Sequence, residues 1–330
     1  MKLSIENKGI VDNLERWYKS FLNNLKSLSY SKNTIYLYSR TINNFIEYMR
    51  EFDEEVTMDR ISSIYFTGFL SFMEDLAAKR GVKQNRGYYL SKSTKQAYIK
   101  ALKNFFEFIS DNNDELFSYY RLLKNVKITD SSSREDKIKH FNENEIEALI
   151  NQLEVNRSKA KSSHSSYLAN RNSLLIKLLL YAGLRISEAL DLRPKDIIPP
   201  IKEGEMWVIK VYGKGGKYQD AFLMDNLINE EFDILLENTD CKDDGWLFKT
   251  SYNNQLDRHN AFRIVSNIYK QAGISKKGLH ALRHTLGMRL TKRDVNPLVI
   301  QRVLRHSSLA TTAVYAKAEK EDVQKGLGKI

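Results

Sequence analysis

The side chains best suited to chemistry lie near the C-terminus, between Leu279 and Tyr315. This stretch reads LHALRHT, an amphipathic interval, then RHSSLATTAVY. His280 and Arg283 are three residues apart and share a helix face. An imidazole beside a guanidinium suits an anionic centre, most commonly a phosphate. His306 and Tyr315 follow, and a tyrosine hydroxyl near such a centre can act as a nucleophile. The chemistry this set fits is phosphoryl transfer on a nucleic-acid backbone. Taken alone, Tyr315 reads as an ordinary core or surface tyrosine. His280 and His284 also have the spacing of metal ligands. However, Ala281 stands where an HExxH motif has its general base, and no carboxylates accompany the pair. His284 therefore reads as a buried, hydrogen-bonded histidine that supports the helix.

Two more cations belong to the same argument. Leu174 to Tyr181 is apolar enough for a buried helix, with Gly183 suited to its left-handed end. A second helix begins around Ser187, which places Arg185 in the tight turn between them. A guanidinium fixed there needs an anion, either a ligand or simply Glu188 three residues on. Further along, MWVIKVYGKGGKYQDAFL (206–223) alternates around a Gly-rich turn and predicts a β-hairpin. Its tip carries Lys214, which either reaches a phosphate or is a solvated turn lysine. The tip lacks P-loop spacing, and no helix follows it, which argues against ATP binding.

The elements that must position these residues are mostly helical. Apolar spacing predicts helices over Val11–Lys26, Asn33–Met49, Ile61–Ala78, Thr94–Ile109 with Ser93 as N-cap, and Glu115–Leu123. Residues 1–125 therefore read as an all-helical domain. Residues 79–92, KRGVKQNRGYYLSK, interleave Lys79, Arg80, Lys83, Arg86 and Lys92 with tyrosines. This is either a phosphate-gripping loop or a solvated basic one. The serine-rich, charged stretch 126–140 reads as a linker. A second domain, 141–330, opens on a capping box at Asn142 and Glu145. Within it, 157–167 reads as a polar loop, Trp246–Phe248 as a short strand and Ala261–Ala272 as a helix. Asn296 and Pro297 start another helix, and Tyr315 lies on a last helical segment.

Composition narrows the class. At 330 residues, two domains are the default. Fifty-two Lys and Arg against 41 Asp and Glu leave a net charge of +11. That excess favours an anionic partner, nucleic acid or an acidic membrane face. The single cysteine, Cys241, excludes an intrachain disulfide and a cysteine-based zinc cluster. The N-terminus turns polar at once, without a secretory signal, and the longest apolar run is too short to span a bilayer. A reducing, cytoplasmic location is expected, with no membrane insertion.

In order, GLRISE with Arg185, GKGGK with Lys214, H-x-x-R at His280 and Arg283, and RHSSLATTAVY with His306 and Tyr315 resemble the tyrosine recombinase (phage integrase) family. Within it, the chain is most similar to Xer-type site-specific recombinases, including those in which one Xer protein acts alone. The resemblance covers the second domain in motif order and extends more loosely to the N-terminal bundle.

The resemblance implies a mainly α fold of two domains that form a C-shaped clamp on DNA. One is a helical, SAM-like core-binding domain; the other is a mixed α/β catalytic domain with a small antiparallel sheet. It implies that Tyr315 attacks the scissile phosphate and forms a 3′-phosphotyrosyl bond, with Arg185 and Arg283 clamping the non-bridging oxygens. Lys214 would protonate the leaving 5′ oxygen, His280 would assist proton transfer at the nucleophile, and His306 would hydrogen-bond the phosphate. Glu188 would buttress Arg185. No metal, ATP or other cofactor is expected. The expected partners are a double-stranded DNA recombination site, bound by a homotetramer spanning two sites, and a septal DNA translocase. The expected role is chromosome dimer resolution. The rival roles are integration of a mobile element, type IB topoisomerase-like relaxation, and non-catalytic DNA binding. Two positions depart from the pattern: Arg305 stands where the family usually has Gly, and Ala316 where Thr is common.

Overall fold

In the computed structural model, the described residues are 9–52, 56–82, 89–126, 128, 139–202, 204–213, 218–224, 226–237, 245–306, 308–313 and 315. The chain forms two compact units, Met1–Arg134 and Glu135–Ile330.

The first unit is helical: α1 (Ile10–Ser27), α2 (Lys32–Met49), α3 (Ser63–Lys79), α4 (Lys92–Asn112) and a short α5 (Tyr120–Asn125). Each long helix turns an apolar stripe inward. The stripe of α1 is Ile10, Leu14, Trp17, Phe21 and Leu25, at the spacing of one buried face. The core is aromatic. Phe45 sits edge-on to Phe69 at 5.4 Å and to Phe106 at 5.9 Å, the arrangement that ring quadrupoles favour.

Two expectations for this unit need correction. The N-cap of α4 is Ser91, not Ser93, because the Ser91 hydroxyl accepts the Thr94 N–H at 3.1 Å and the helix starts at Lys92. The helix expected over Glu115–Leu123 is shorter and starts later, covering Tyr120–Asn125. The Asn113 side chain accepts the Phe117 N–H at 2.8 Å and donates to the Phe117 carbonyl at 2.7 Å. Leu116 then takes a left-handed φ of 57°. The side chain thus makes the turn that a helix ladder would otherwise make, and α5 begins only at Tyr120.

The second unit is built around α7 (Ser163–Tyr181), whose Leu174–Leu180 face is sealed from solvent on all sides. Lys177 lies in that run and is neutralised by an ion pair with the buried Glu231 carboxylate, which also accepts from Ser173 Oγ at 2.7 Å. A buried charge survives only when paired in this way. Before it come Asn142 and Glu145, whose reciprocal capping box opens α6 (Glu143–Ser158). The stretch 157–167 is not a loop. Ser162 and Ser165 form a second capping box, and α7 starts at Ser163. The serines that suggested a loop are cap residues.

After α7 come the short α8 (Ile186–Leu190) and a three-stranded antiparallel sheet of β1 (Ile197–Ile198), β2 (Trp207–Tyr212) and β3 (Tyr218–Leu223). The β2–β3 register pairs Trp207 with Leu223 and Tyr212 with Tyr218. Ile209, Val211, Ala221 and Leu223 face the core. The remaining helices are α9 (Asn229–Glu237), α10 (Arg258–Gln271), α11 (His280–Lys292), α12 (Pro297–Val303) and α13 (Leu309–Ala313). Trp246–Phe248 is not a strand. Leu247 and Phe248 are buried in a bend ahead of an isolated bridge between Lys249 and Gln255. No helix among the described residues is long and apolar enough to cross a membrane.

Candidate active site

The site is assembled where the α7–α8 turn meets α11 and the end of α12. Gly183 makes the turn with φ at 60°, a conformation only glycine adopts freely. A Cβ there would lie 2.9 Å from the side chains of Leu286 and Leu304. This close approach leaves the Gly183 carbonyl facing α11, where Arg283 donates to it. Arg283 also donates to the Leu304 carbonyl, so one guanidinium ties the turn to the end of α12. Thr285, two residues on, accepts the Phe141 N–H at 2.9 Å and donates to the Ala281 carbonyl at 2.7 Å. This bond anchors α11 to the start of the unit. Arg283 is 4% exposed. Burial first, then the charges of Arg185 and Arg305, bring its pKa down to about 10, so it is still a cation at neutral pH.

Arg185 is the N-cap residue of α8. Its amide donates to Glu188 Oε2 at 2.8 Å, its guanidinium bonds Glu188 Oε1 at 2.5 Å, and it donates to the Arg305 carbonyl at 3.2 Å. The Arg185 side chain remains 38% exposed, so it is the open face of the cationic pair. Glu188 is buried and, from the other side, is bonded by Arg305 at 3.0 Å. Burial pushes the Glu188 pKa up, but the Arg185 amide, Arg305 and the Arg185 guanidinium together outweigh it and hold it below the ordinary value.

His306 is 9% exposed, and its Nδ1 is 2.9 Å from Thr312 Oγ1. Burial, followed by the fields of Arg283 and Arg185, lowers its pKa to about 4. The imidazole is therefore neutral near pH 7. Its ring is near-parallel to that of Tyr315, with 12° between the planes and 6.1 Å between centroids. Tyr315 is 5% exposed and sits in a turn after α13, its N–H bonded to the Thr312 carbonyl at 2.9 Å, rather than on a helix. Gly287 also lies against the tyrosine, where a Cβ would meet the ring at 2.8 Å. Burial raises the phenol pKa, and Arg283 and Arg185 offset part of that rise.

Arg185, Glu188, Arg283, His306 and Tyr315 thus come together in one pocket. His280 stands at the exposed first turn of α11. Its pKa is lowered by partial desolvation and then by Arg258, Arg283 and Arg185. Lys214 lies outside the described residues, as do Lys83, Arg86, Ala316 and Cys241. Lys79 and Arg80 are exposed at the end of α3, in the other unit, and Lys92 is half-buried at the start of α4. The chain leading into α4 is tied down by Glu74, whose carboxylate accepts the Tyr89 and Leu90 N–H groups at 2.7 and 3.1 Å.

Two residues of the site were not legible as such. His284 does not merely support its helix: its Nδ1 is 2.7 Å from the Tyr315 hydroxyl. Arg305, read only as a departure from the family's usual Gly, adopts the left-handed φ of 51° that glycine would take. Its side chain turns inward to Glu188 and the Gly183 carbonyl. The positive φ is the physical reason glycine suits that position. The inward ion pair could not be read from spacing.

This arrangement places a tyrosine oxygen among cations and neutral imidazoles, a set able to hold a phosphodiester and stabilise charge developing on it. Residues 126–322 match the phage integrase family. The chain is 30% identical over 245 residues to tyrosine recombinase XerH of Helicobacter pylori, covering 71% of this chain and 65% of that protein. That match spans less than two thirds of the relative's length. It is 25% identical over 302 residues to tyrosine recombinase XerD of Oceanobacillus iheyensis, covering 88% and 89% of the two chains. Its fold is similar to that of a XerH site-specific recombinase bound to a palindromic difH substrate in a post-cleavage complex, with a TM-score of 0.78, 24% identity and 99% of each chain covered. With its motifs in order and its tyrosine set beside the paired arginines, this chain belongs to the phage integrase family, the tyrosine recombinases.

Proposed function

We propose that this chain is a cytoplasmic, Xer-type site-specific recombinase that cuts and rejoins duplex DNA through a 3′-phosphotyrosyl intermediate. The observation that carries this reading is the burial of the Tyr315 hydroxyl in the pocket shared by Arg185, Arg283 and His306. A free phenol with a pKa near 10 is only about 0.1% ionised at neutral pH. It therefore needs help losing its proton, and the pentacoordinate phosphorane needs cations. Arg185 and Arg283 supply the cations, His306 donates to a phosphate oxygen, and Lys214 protonates the 5′ oxygen as it leaves. Glu188 orients Arg185. Because the phosphotyrosine stores the energy of the broken bond, exchange needs no ATP. Two DNA sites and four protomers complete the reaction, with a septal DNA translocase as a further partner. Lys79, Arg80, Lys83, Arg86 and Lys92 contact the DNA backbone, so binding weakens steeply with salt through counterion release.

The deciding experiment uses nicked duplexes that trap the covalent intermediate, captured from a randomised pool. The wild-type chain should form an adduct, and Tyr315→Phe should bind the same duplexes without forming one. An adduct that survives in Tyr315→Phe would refute the assignment.

A further inference from the structure

We propose that His284 is the residue that takes the proton from Tyr315 when its hydroxyl attacks phosphorus. This inference rests on the strand-cleavage reading above and names a group that the motif pattern leaves without a role. The His284 Nδ1 lies 2.7 Å from the Tyr315 oxygen, within the reach required of a general base. Among the described residues it is the hydrogen-bond partner of that hydroxyl. Packing fixes the tyrosine. Its ring is near-parallel to that of His306 and lies close against Gly287. Its oxygen is thereby aimed at α11 one turn beyond His280. His280, which the resemblance nominates for this proton, is at the solvent-exposed edge, its ring centroid 6.4 Å from that of His284.

The groups facing His284 are His280 and Arg283 on its own helix, His140 ahead of α6, His306 after α12, and Tyr315. Desolvation, then His280, Arg283 and His140, lowers its pKa, which favours the neutral ring; the proposed step uses the tautomer whose proton is on Nε2, so that Nδ1 accepts. The Tyr315 O–H bond breaks and its proton passes to Nδ1 while the oxygen forms the bond to phosphorus. The phosphorus–O5′ bond then breaks, and the 5′ oxygen leaves with a proton from Lys214. In rejoining, the 5′ hydroxyl gives its proton back to Lys214 as it attacks phosphorus, the bond from phosphorus to the tyrosine oxygen breaks, and His284 returns its proton to that oxygen.

The test compares adduct formation by wild type, His284→Gln, His284→Ala and His280→Gln on duplexes captured by the wild-type chain, from pH 5.5 to 8.5. His284→Gln keeps a hydrogen-bonding group but cannot accept a proton. It should form adduct about a hundredfold more slowly at pH 7. Its rate should climb with pH across the range, where the wild type levels off. Added imidazole should partly restore His284→Ala, which separates lost chemistry from lost folding. Nitrogen NMR of the wild type should find Nδ1 unprotonated. A Gln variant within threefold of wild type with the same pH profile, a profile altered only by His280→Gln, or a protonated Nδ1 would overturn the assignment. Failure of the wild type to capture any duplex would sink strand cleavage itself, and this inference with it.

Discussion

The Arg305 guanidinium lies 3.0 Å from the Glu188 carboxylate, with the two side chains only 2% and 6% exposed. The same carboxylate holds Arg185 through its other oxygen, so Glu188 is the hinge between a buried cation and the one that opens to the pocket. Removing one partner of a buried pair strands the other, at a cost of about 3–5 kcal/mol. Glu188→Ala should therefore lower unfolding stability by about that much, since Arg305 would be left facing only carbonyls. Arg305→Gly should cost less, because glycine relieves about 1–2 kcal/mol of left-handed strain at φ 51°. Urea unfolding should rank the chains wild type, Arg305→Gly, Glu188→Ala. The reverse order of the two variants would mean that the pair does not organise the turn.

Gly287 offers a sharper probe of the tyrosine. It lies inside α11, where alanine is the better helix former by about 1 kcal/mol. Yet a Cβ there would come within 3.0 Å of three atoms of the Tyr315 ring. The ring must move, and with it the 2.7 Å bond to His284. Gly287→Ala should thus leave stability within about 1 kcal/mol of wild type while slowing adduct formation at least tenfold. Adduct formation at the wild-type rate would mean that the seat of the ring does not govern the nucleophile.

These two relationships mark where sequence reasoning ends. Helix faces and caps were legible where the signal is local. Asn142 with Glu145 and Asn296 with Pro297 each sit within a few residues of the groups they satisfy. Gly183 was legible because a positive φ leaves glycine as its trace. The motif residues could be named because each reacts through its own functional group, and four of them fall between Leu279 and Tyr315. Arg305 was not legible: its partner Glu188 is 117 residues away, and nothing in the spacing shows a side chain turning inward. His284 is hydrogen-bonded as expected, but its partner was not legible, for the same reason. That partner is a tyrosine beyond two further helices, and a histidine four residues after another reads first as a ligand or a packing residue. The serines at 162 and 165 show the converse error, in which composition typical of loops began the most buried helix of the second unit.

The histidines of the pocket also make stability depend on pH, with a sign that can be worked out. The pKa of His306 is about 4 in the folded chain, against an ordinary 6.5. Between those values the unfolded chain holds a proton that the folded chain lacks. Stability therefore rises with pH through this window, is complete above about 6.5, and is lost as pH falls toward 4. At 1.36 kcal/mol per unit, the contribution is no more than about 3–4 kcal/mol. His280 and His284 are shifted the same way, so their slopes add to it. Glu188 is held below its ordinary value, and protonating it erodes stability only toward the acid end. The interval from pH 5 to 6.5 thus isolates the imidazoles. His306→Asn keeps a hydrogen-bonding group beside Thr312 but cannot titrate. Urea midpoints measured at pH 5, 5.75, 6.5 and 7.5 should fall toward acid in the wild type and fall visibly less in the variant. Equal losses in the two chains would place the missing proton on another group.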